Sequence, residues 1–364
     1  MITAAVLRSY GGEFELTELE LAPPGPGEVL VRITATGFCH TDEKVRQGAR
    51  SVPLPVVLGH EGAGRVEAVG PGVGDLRTGD HVVLTFAHCG GCGNCASGHP
   101  AYCERMDELS FGASVRPLRA ADHGLVRGGF FGQSSFATHA VVDQRSAVRV
   151  DPELPLELLG PLGCSIQTGA GSILNVLRPD AEASLAVWGV GAVGLSAVAA
   201  AAWSGVGTII AIDVHPNRLA LAGELGATHT VLADAAGSSL DGLRALAPAG
   251  VSHALDTSGR ADVLCEMVSG LAPRGRAGFV GGARAGEVVS LEIDRLLAGR
   301  SLRGIIQGDA MPQRLIPALA ERVRNGQLPL PRLVTRYPLE EINLAAADAA
   351  CGRTVKPVLT MPTD

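Results

Sequence analysis

The sequence predicts an α/β chain in which a β-rich module precedes a doubly wound parallel sheet. Over the first 150 residues, short segments with alternating apolar residues, such as 29–33 and 65–69, are separated by turns rich in glycine and proline. From about residue 165, apolar strand-like segments alternate with helical ones, which indicates right-handed βαβ units. A glycine-rich turn at 189–194 joins the first of these strands to the first helix.

The elements are predicted in the following order. The first module has strands at 29–33 and 65–69 and turns at 23–27 and 70–74, and we expect it to form a partly open barrel. The second part has strands at 184–188, 208–212, 230–232, 254–256 and 278–281, with helices from the glycine turn to Trp203 and over 216–225. A closing strand is predicted at 354–359.

Composition excludes several classes of protein. The 364 residues suffice for two domains, and a net charge of −7 gives no basic surface for nucleic acid. Residues 184–212 carry no charge over 29 positions, a length that could cross a membrane. Five glycines divide that stretch into strand, turn, helix and strand, so a buried α/β unit explains it better. The N-terminus lacks a signal-peptide pattern, and we expect a cytoplasmic protein without membrane contact.

Four cysteines form one compact motif. Cys89, Cys92, Cys95 and Cys103 have the spacing C-x2-C-x2-C-x7-C, which suits tetrahedral zinc bound by four thiolates. The glycines between them allow the loop to wrap an ion and to direct N–H groups at the sulfurs. An iron–sulfur cluster is the alternative, but the fourth cysteine comes late for that pattern and no second run is present. Four protein ligands leave no open position, so this zinc is predicted to be structural.

Three further candidate ligands, Cys39, His60 and Cys164, are dispersed along the chain. Taken singly, each is more typical of a buried cysteine or a hydrogen-bonded histidine than of a metal ligand. The acidic neighbours Asp42 and Glu61 favour a metal, because metal-bound histidine commonly donates its other N–H to a carboxylate. Spacing alone does not join these residues into one site.

The turn at 189–194 fits the pattern G-x-G-x-x-G through Gly189, Gly191 and Gly194. The pattern is weak by itself, but a strand before it and a helix after it are the context of a dinucleotide site. N–H groups near Gly191 and Ala192 would meet a pyrophosphate at the helix N-terminus.

Asp213 ends the next predicted strand and would accept hydrogen bonds from the ribose hydroxyls of the adenosine. Its carboxylate would repel a 2′-phosphate, which predicts NAD rather than NADP. Arg218 weakens this prediction slightly, because an arginine near Asp213 could contact a phosphate.

Several motifs occur in the order found in one known family: Gly37-Phe-Cys-His-Thr-Asp42, Gly59-His-Glu-Gly62, the cysteine quartet, Gly163-Cys164 and the glycine turn. With them the chain resembles the zinc-dependent medium-chain alcohol dehydrogenases, and the segments 129–136, 163–169 and 304–313 resemble those of the aryl (benzyl) alcohol branch. The resemblance implies a GroES-like catalytic domain over 1–165 and an NAD-binding Rossmann domain over 166–308. It also implies a C-terminal segment, 309–364, that returns to the catalytic domain.

The resemblance implies a second, catalytic zinc held by Cys39, His60 and Cys164. Two cysteines and one histidine are the zinc ligands known for alcohol dehydrogenases, and this set leaves one position open. Asp42 would orient His60, and Glu61 would lie behind the metal.

Further roles around the cofactor are implied. Thr41 matches the hydroxyl that takes the alcohol proton, and Lys44 stands where the family has the histidine that ends the proton relay. Lys44 is therefore predicted to end the relay or to bind the ribose, with a solvated surface lysine as the alternative.

The remaining residues match cofactor contacts: His40 and Lys356 at the pyrophosphate, Thr168 and Val193 at the nicotinamide, and Arg218 beside the adenosine. Lys44 and Lys356 are the only lysines among 30 basic residues, which favours a function for both over a solvated position.

The resemblance to the benzyl alcohol branch also predicts the substrate pocket. Phe130 and Phe131 would line an apolar channel, Thr85 would leave room for a ring beside the zinc, and Ile305 and Ile306 would close the outer wall. Ordinary core packing is the alternative for the aromatic residues. The expected substrates are aromatic or allylic primary alcohols, with terpene alcohols such as geraniol as close competitors.

Two other functions compete with this prediction. One is a thiol-adduct-dependent formaldehyde dehydrogenase, which shares both zinc sites, and the other is a non-catalytic NAD-binding protein of the same fold. The family implies two zinc ions and one NAD per chain, a small alcohol or aldehyde as the only other ligand, and a homodimer or homotetramer.

Overall fold

The computed structural model describes residues 1–111, 116–120, 124–234, 239–281 and 286–362. The chain divides into two units: the first combines Met1–Cys164 with Met311–Asp364, and the second is Ser165–Ala310. The predicted division placed these boundaries after residues 165 and 308.

The strands of both units, in chain order, are β1 (Ile2–Leu7), β2 (Phe14–Glu20), β3 (Glu28–Gly37), β4 (Val56–Val57), β5 (Gly62–Val69), β6 (His81–Leu84), β7 (Pro117–Ala120), β8 (Leu125–Arg127), β9 (His139–Asp143), β10 (Ala147–Arg149), β11 (Ser184–Trp188), β12 (Thr208–Asp213), β13 (His229–Leu232), β14 (Val251–Asp256), β15 (Leu271–Phe279), β16 (Ser301–Gly304), β17 (Val334–Pro338) and β18 (Lys356–Thr360).

The α-helices are α1 (His40–Arg46), α2 (Gly93–Ala96), α3 (Met106–Phe111), α4 (Leu156–Leu159), α5 (Ser165–Gly171), α6 (Ala192–Trp203), α7 (Pro216–Glu224), α8 (Leu240–Leu246), α9 (Ala261–Ser269), α10 (Ile293–Leu297), α11 (Pro312–Arg324), α12 (Leu330–Leu333) and α13 (Ile342–Ala350).

The first unit contains a small barrel and a larger sheet. The barrel has the order β1-β2-β7-β8-β4 and is closed, because β4 pairs back onto β1 through Val57 opposite Val6 and Val56 opposite Leu7. The prediction of a partly open barrel missed this two-residue strand, which is too short to show a periodic pattern.

The larger sheet of the first unit has the order β10-β6-β5-β3-β18-β17, with β9 also paired to β3. The closing strand β18 runs antiparallel to β3 and parallel to β17, so the C-terminal segment supplies an interior strand. Its residues Val358 and Leu359 are fully buried, which explains the apolar run at the end of the sequence.

The second unit is built on one parallel sheet with the order β13-β12-β11-β14-β15-β16. The central strand β11 is covered on both faces, since Leu185, Ala186 and Val187 are fully buried and Trp188 is 2% exposed. Burial on both faces requires an uninterrupted apolar strand, and the helix α6 that follows is alanine-rich because it packs closely on its neighbours. Among the described residues, no helix has the length and apolarity needed to span a bilayer.

Candidate active site and structural metal centre

One buried carboxylate joins two of the dispersed candidate ligands. Cys39 is the N-cap residue of α1, and its backbone N–H donates to Asp42 Oδ2 at 3.0 Å. Asp42 Oδ1 lies 3.1 Å from His60 Nδ1 and also accepts from the Gly59 N–H at 3.1 Å. Asp42 is fully buried, so both ligand-bearing segments are fixed to a single rigid group.

Gly59 shows why the sequence turns sharply before His60. Its φ of +90° lies in the left-handed region, and an added Cβ would collide with the backbone of Phe136. The turn directs the imidazole inward, where it is 1% exposed. Nδ1 is occupied by Asp42, whereas Nε2 is buried without a hydrogen-bond partner among the described residues. A histidine binds a metal through one ring nitrogen while the other is held by a carboxylate, and His60 has this arrangement.

The donor atoms of Cys39, His60, Glu61 and Cys164 lie within 4.8 Å of one another. The Cys164 thiol donates a hydrogen bond that lowers the pKa of Cys39 well below its usual range, which favours the thiolate needed for metal binding. Both carboxylate oxygens of Glu61 accept from Lys356, so the two sulfurs and the imidazole nitrogen are the ligand set, which suits tetrahedral zinc and leaves one position open. The residues present therefore fit a catalytic zinc.

Glu61 has a cationic partner behind the ligands. Lys356 Nζ donates to both of its carboxylate oxygens, at 3.0 and 3.1 Å, and to the carbonyl of Phe38 at 3.2 Å. Lys356 is 3% exposed and Glu61 fully buried. Burial disfavours the charged form of Lys356, but the negative charges of Glu61 and Cys39 raise the pKa of Lys356 above its usual range. The lysine predicted at the pyrophosphate is thus placed in an ion pair beside the candidate ligands.

The quartet forms a second donor cluster. The four sulfurs lie within 4.8 Å of one another, and Cys89 and Cys95 are 3.9 Å apart at Sγ. Backbone N–H groups point at the sulfurs: Cys92 N lies 3.3 Å from Cys89 Sγ, and Cys89 N lies 3.3 Å from Cys103 Sγ. Hydrogen bonds from the backbone of Gly91 and Cys92 lower the pKa of Cys89 to about 6. This cluster fits a closed zinc site.

An aromatic wall lies against the His60 imidazole. Phe131 stacks on it with ring centroids 4.5 Å apart, and Phe130 meets it edge-on at 5.7 Å. Phe131 has a φ of +52°, a strained value for a residue other than glycine, so the loop is held in place by its surroundings. The neighbouring Thr85 is fully buried, and its hydroxyl donates to the carbonyl of Gly163 at 2.9 Å.

The second unit contains the glycine turn. Gly189 has a φ of +78°, and an added Cβ at Gly194 would collide with its carbonyl, so both positions require glycine. At Gly191, the N-cap of α6, an added Cβ would meet no atom within 4 Å. The backbone there faces open space, which fits the close approach of a pyrophosphate.

Asp213 ends β12 beside this turn. Its Oδ2 accepts from the Val190 N–H at 2.7 Å and its Oδ1 from the His215 N–H at 2.9 Å. Arg218 Nη1 lies 3.9 Å from the carboxylate. The side chain is thereby held at the carboxyl end of the sheet, the position of a ribose-binding acid in dinucleotide sites.

Comparison with known proteins assigns the family. Residues 25–152 match the alcohol dehydrogenase GroES-like domain, and residues 192–323 match the zinc-binding dehydrogenase domain. A geraniol dehydrogenase from Castellaniella defragrans is 45% identical over 98% of this chain and 96% of that protein. The chain belongs to the zinc-dependent medium-chain alcohol dehydrogenases.

Two other relatives support this dehydrogenase assignment. The crystal structure of benzyl alcohol dehydrogenase from Acinetobacter calcoaceticus is 40% identical, covers 99% of both chains and has a TM-score of 0.93. An S-(hydroxymethyl)glutathione dehydrogenase from Escherichia coli is 34% identical over 98% of each chain. The predicted family, fold class and zinc-dependent alcohol chemistry are confirmed.

The remaining predicted site residues of the dehydrogenase are placed as follows. In the first unit, His40 is exposed, and Thr41 and Lys44 are half-buried on α1. In the second unit, Thr168 on α5 is half-buried with its hydroxyl 3.5 Å from Gln307 Oε1, and Val193 is half-buried. Ile305 is 4% exposed and packs against Gly278, whereas Ile306 is 48% exposed. Their roles stay predictions.

Three residues of the first unit were not predicted. Phe111 packs edge-on against Phe131 at 4.8 Å, and the guanidinium of Arg50 lies 3.4 Å from the centre of its ring. Phe111 and Phe130 also line a small surface pocket together with Val52 and Arg127. Gln133, the third, hydrogen bonds to the His60 carbonyl. Arg50 and Phe111 carry no local signal, because only folding brings α3 onto the aromatic loop.

Proposed function

We propose that this enzyme interconverts primary alcohols bearing an aromatic ring or an allylic double bond with their aldehydes, using NAD. The observation that carries the proposal is the aromatic wall: Phe131 lies flat on the imidazole of His60, and Phe130 stands edge-on to both rings. A wall of aromatic surface beside the reacting centre favours a flat, apolar substituent over a short aliphatic chain. The names of two relatives, a geraniol and a benzyl alcohol dehydrogenase, support the same class.

Each residue has a defined task in this proposal. Cys39, His60 and Cys164 would hold a zinc ion, which supplies a Lewis acid for the substrate oxygen. Asp42 keeps Nδ1 of His60 engaged so that Nε2 faces the donor cluster. Apolar packing of Phe131 against the imidazole shields that face of the ring from water.

The proton of the alcohol needs an exit. We propose that the Thr41 hydroxyl takes it and passes it towards Lys44, which lies three residues further along α1. The dependence of kcat/KM on pH for Lys44→Met tests this step. If Lys44 ends the relay, one of the pH-dependent limbs of the rate profile should disappear, whereas an unchanged profile would exclude Lys44 from the relay. Lys44→Arg is the matched control, because it keeps the charge but has no accessible neutral form.

The preference for NAD is part of the proposal. Asp213 presents a carboxylate at the end of β12, which would repel the negative charge of a 2′-phosphate bound near it. Arg218 is the cation beside Asp213 that could offset part of this repulsion. We expect kcat/KM with NAD to exceed that with NADP by at least about a hundredfold, because bringing like charges together costs several kcal/mol and about 1.4 kcal/mol corresponds to a factor of ten.

A panel of substrates tests the function as a whole. kcat/KM should be highest for benzyl alcohol, cinnamyl alcohol and geraniol and at least about tenfold lower for ethanol and 1-hexanol. Dialysis against a chelator should abolish activity, and added Zn²⁺ should restore it. A preference for S-(hydroxymethyl)glutathione would favour the formaldehyde dehydrogenase alternative. Zinc-loaded protein inert towards every alcohol and aldehyde would overturn the proposal and favour a non-catalytic NAD-binding protein.

We also propose that the enzyme acts in the cytoplasm as a homodimer or homotetramer, as other members of the family do. Light scattering coupled to gel filtration measures the assembly directly, and a monomer at micromolar concentration would contradict it.

A further inference from the structure

Gln133 occupies a central position in the first unit. It follows the turn Phe130–Gly132 and is 3% exposed. Its Nε2 donates to two backbone carbonyls, those of His60 and Thr85, each at 2.9 Å. Its Oε1 accepts from the Gly62 N–H at 3.3 Å. One side chain therefore satisfies three backbone groups that belong to two separate segments of the chain.

These two segments carry different parts of the site. His60 is the candidate imidazole ligand, Gly62 begins β5 two residues after it, and Thr85 follows β6. The Thr85 hydroxyl in turn donates to the Gly163 carbonyl, one residue before Cys164. A continuous series of hydrogen bonds thus connects one candidate ligand, through Gln133 and Thr85, to the residue next to another.

The same loop carries the aromatic wall. Phe131 stands two residues before Gln133 and stacks on His60, although its backbone is in the strained left-handed region. Ser134 anchors the loop on the other side, because its hydroxyl donates to the Val57 carbonyl at 2.6 Å and accepts from the Phe130 N–H at 2.9 Å. Gln133 is the side chain that fixes this loop to the segment of His60, beside backbone hydrogen bonds such as that from the Ser135 N–H to the Gly59 carbonyl.

We propose that Gln133 is a positioning residue that sets the separation between the His60 imidazole and the Phe130–Phe131 wall, and thereby the selectivity for ring-bearing over aliphatic alcohols. This inference rests on the proposed function. The residue type follows from the partners: two carbonyls need two N–H donors and one N–H needs an acceptor, which a primary amide supplies in one plane. Glutamate has no donors for the carbonyls, and an apolar residue would leave all three backbone groups buried and unsatisfied.

Three substitutions test the proposal in the zinc-loaded enzyme. Gln133→Glu keeps the shape and removes the donors, Gln133→Met keeps the length and removes all three hydrogen bonds, and Gln133→Asn keeps the amide but withdraws it by one methylene. We expect the ratio of kcat/KM for benzyl alcohol to that for 1-hexanol to fall about tenfold in each, since a displaced wall affects the ring more than a flexible chain. Replacing zinc with Co²⁺ gives a second readout, and its thiolate-to-metal absorption should shift because the His60 carbonyl is released.

Ser135→Ala is the matched control. Ser135 is fully buried two residues further on, and its hydroxyl pairs with Thr36 Oγ1 at 2.8 Å rather than with the carbonyls of His60 and Thr85. We expect Ser135→Ala to lower Tm by an amount similar to that of Gln133→Asn, while its selectivity ratio and Co²⁺ spectrum stay as in the unsubstituted enzyme.

The outcomes separate the inference from the proposed function. Absence of a preference for benzyl alcohol in the unsubstituted enzyme would overturn the proposed function itself. An unsubstituted enzyme that prefers benzyl alcohol, with Gln133 variants that lose Tm but keep the ratio and the Co²⁺ spectrum, would overturn the role of Gln133. If the Glu and Met variants do not fold, Gln133→Asn decides alone, because it retains a neutral amide and buries no new charge or apolar group against the backbone.

Discussion

At the scale of single residues, Asp42 shows how one carboxylate organises the catalytic centre. It binds the Cys39 N–H, the Gly59 N–H and His60 Nδ1, and it is fully buried. The sequence predicted its contact with His60 but not its contact with the backbone of Cys39. The physical reason is that a carboxylate can accept several hydrogen bonds at once, and only the fold decides which donors reach it.

Replacement of Asp42 by asparagine tests this role. An amide presents a donor where the carboxylate accepts, so one of the three contacts is lost and the imidazole is no longer held in one orientation. We expect Asp42→Asn to lower kcat/KM and the zinc affinity of the catalytic site about 10- to 100-fold. Zinc retained after dialysis against a graded chelator series measures the affinity, with exposed Asp262→Asn as the control. Retention equal to that of the unsubstituted enzyme would contradict the assignment.

The pair Lys356–Glu61 gives a second prediction at this scale. Removing one partner of a buried ion pair leaves the other charge uncompensated in a medium of low dielectric constant. Lys356→Met should therefore lower the free energy of unfolding by about 3–5 kcal/mol, measured by urea denaturation of the zinc-loaded enzyme. Lys356→Arg keeps the charge and should lose less than half of that. A loss for Lys356→Met of only about 1 kcal/mol, as for an exposed pair, would show that the pair is not desolvated.

At the scale of elements, the cysteine quartet lies in a segment with little secondary structure of its own. Between Cys89 and Cys103 the structure has only the four-residue helix α2 and a single 3-10 turn at Pro100–Tyr102. Elements this short have no cooperative stability in isolation. The metal is therefore expected to fix this loop, as the spacing indicated.

Cys95→Ser should remove the structural zinc and leave the catalytic one. We expect the metal content to fall from two zinc ions per chain to one, with a loss of several kcal/mol in the free energy of unfolding. Cys164→Ser is the reciprocal variant: it should abolish turnover while the quartet still holds its ion. Metal analysis, Tm and kcat of the two variants are compared with exposed Cys351→Ser. An equal loss of Tm in both variants would contradict the division into structural and catalytic sites.

Strand prediction succeeded and failed for identifiable reasons. The predicted strand 184–188 coincides with β11, because a strand buried on both faces is uniformly apolar. The strand predicted at 278–281 instead runs from Leu271 to Phe279 as β15. Its first half contains Pro273 and Gly275, which read as a turn, and the pairing with β14 shifts register there. A bulge tolerates these residues, and local sequence does not reveal it.

At the scale of the whole molecule, the two units differ in how their chain is arranged. The second unit is one continuous segment, Ser165–Ala310, and each pair of neighbouring strands in its sheet is parallel. The first unit needs the C-terminal segment, because β18 lies between β3 and β17 in its larger sheet. A chain lacking β18 would expose the edge of β3 and the apolar side chains that pack on it.

Expression of separate segments tests this difference. Segment 165–310 should fold on its own, with a cooperative thermal transition and the circular dichroism of an α/β protein. Segment 1–164 should not, whereas co-expression with segment 311–364 should recover a folded complex. A cooperative transition in segment 1–164 alone would show that β18 is dispensable.

The sequence by itself determined the features that depend on local order: the quartet spacing, the glycine turn followed by a helix, and the apolar strands of the parallel sheet. Each is set by residues close together in the chain, where coordination geometry or backbone conformation restricts the residue type. The dispersed ligands Cys39, His60 and Cys164 could be joined only through resemblance to a family.

Only the tertiary structure decided the contacts that surround those ligands. It placed Lys356 against Glu61, tied Gln133 to the carbonyls of His60 and Thr85, and brought Phe111 onto Phe131. These partners are separated by between 20 and 295 residues, and hydrogen bonds and aromatic packing at such separation leave no periodic trace in the sequence. The physical reason is that they depend on the distance between strands, which is fixed only when the sheets and the barrel have closed.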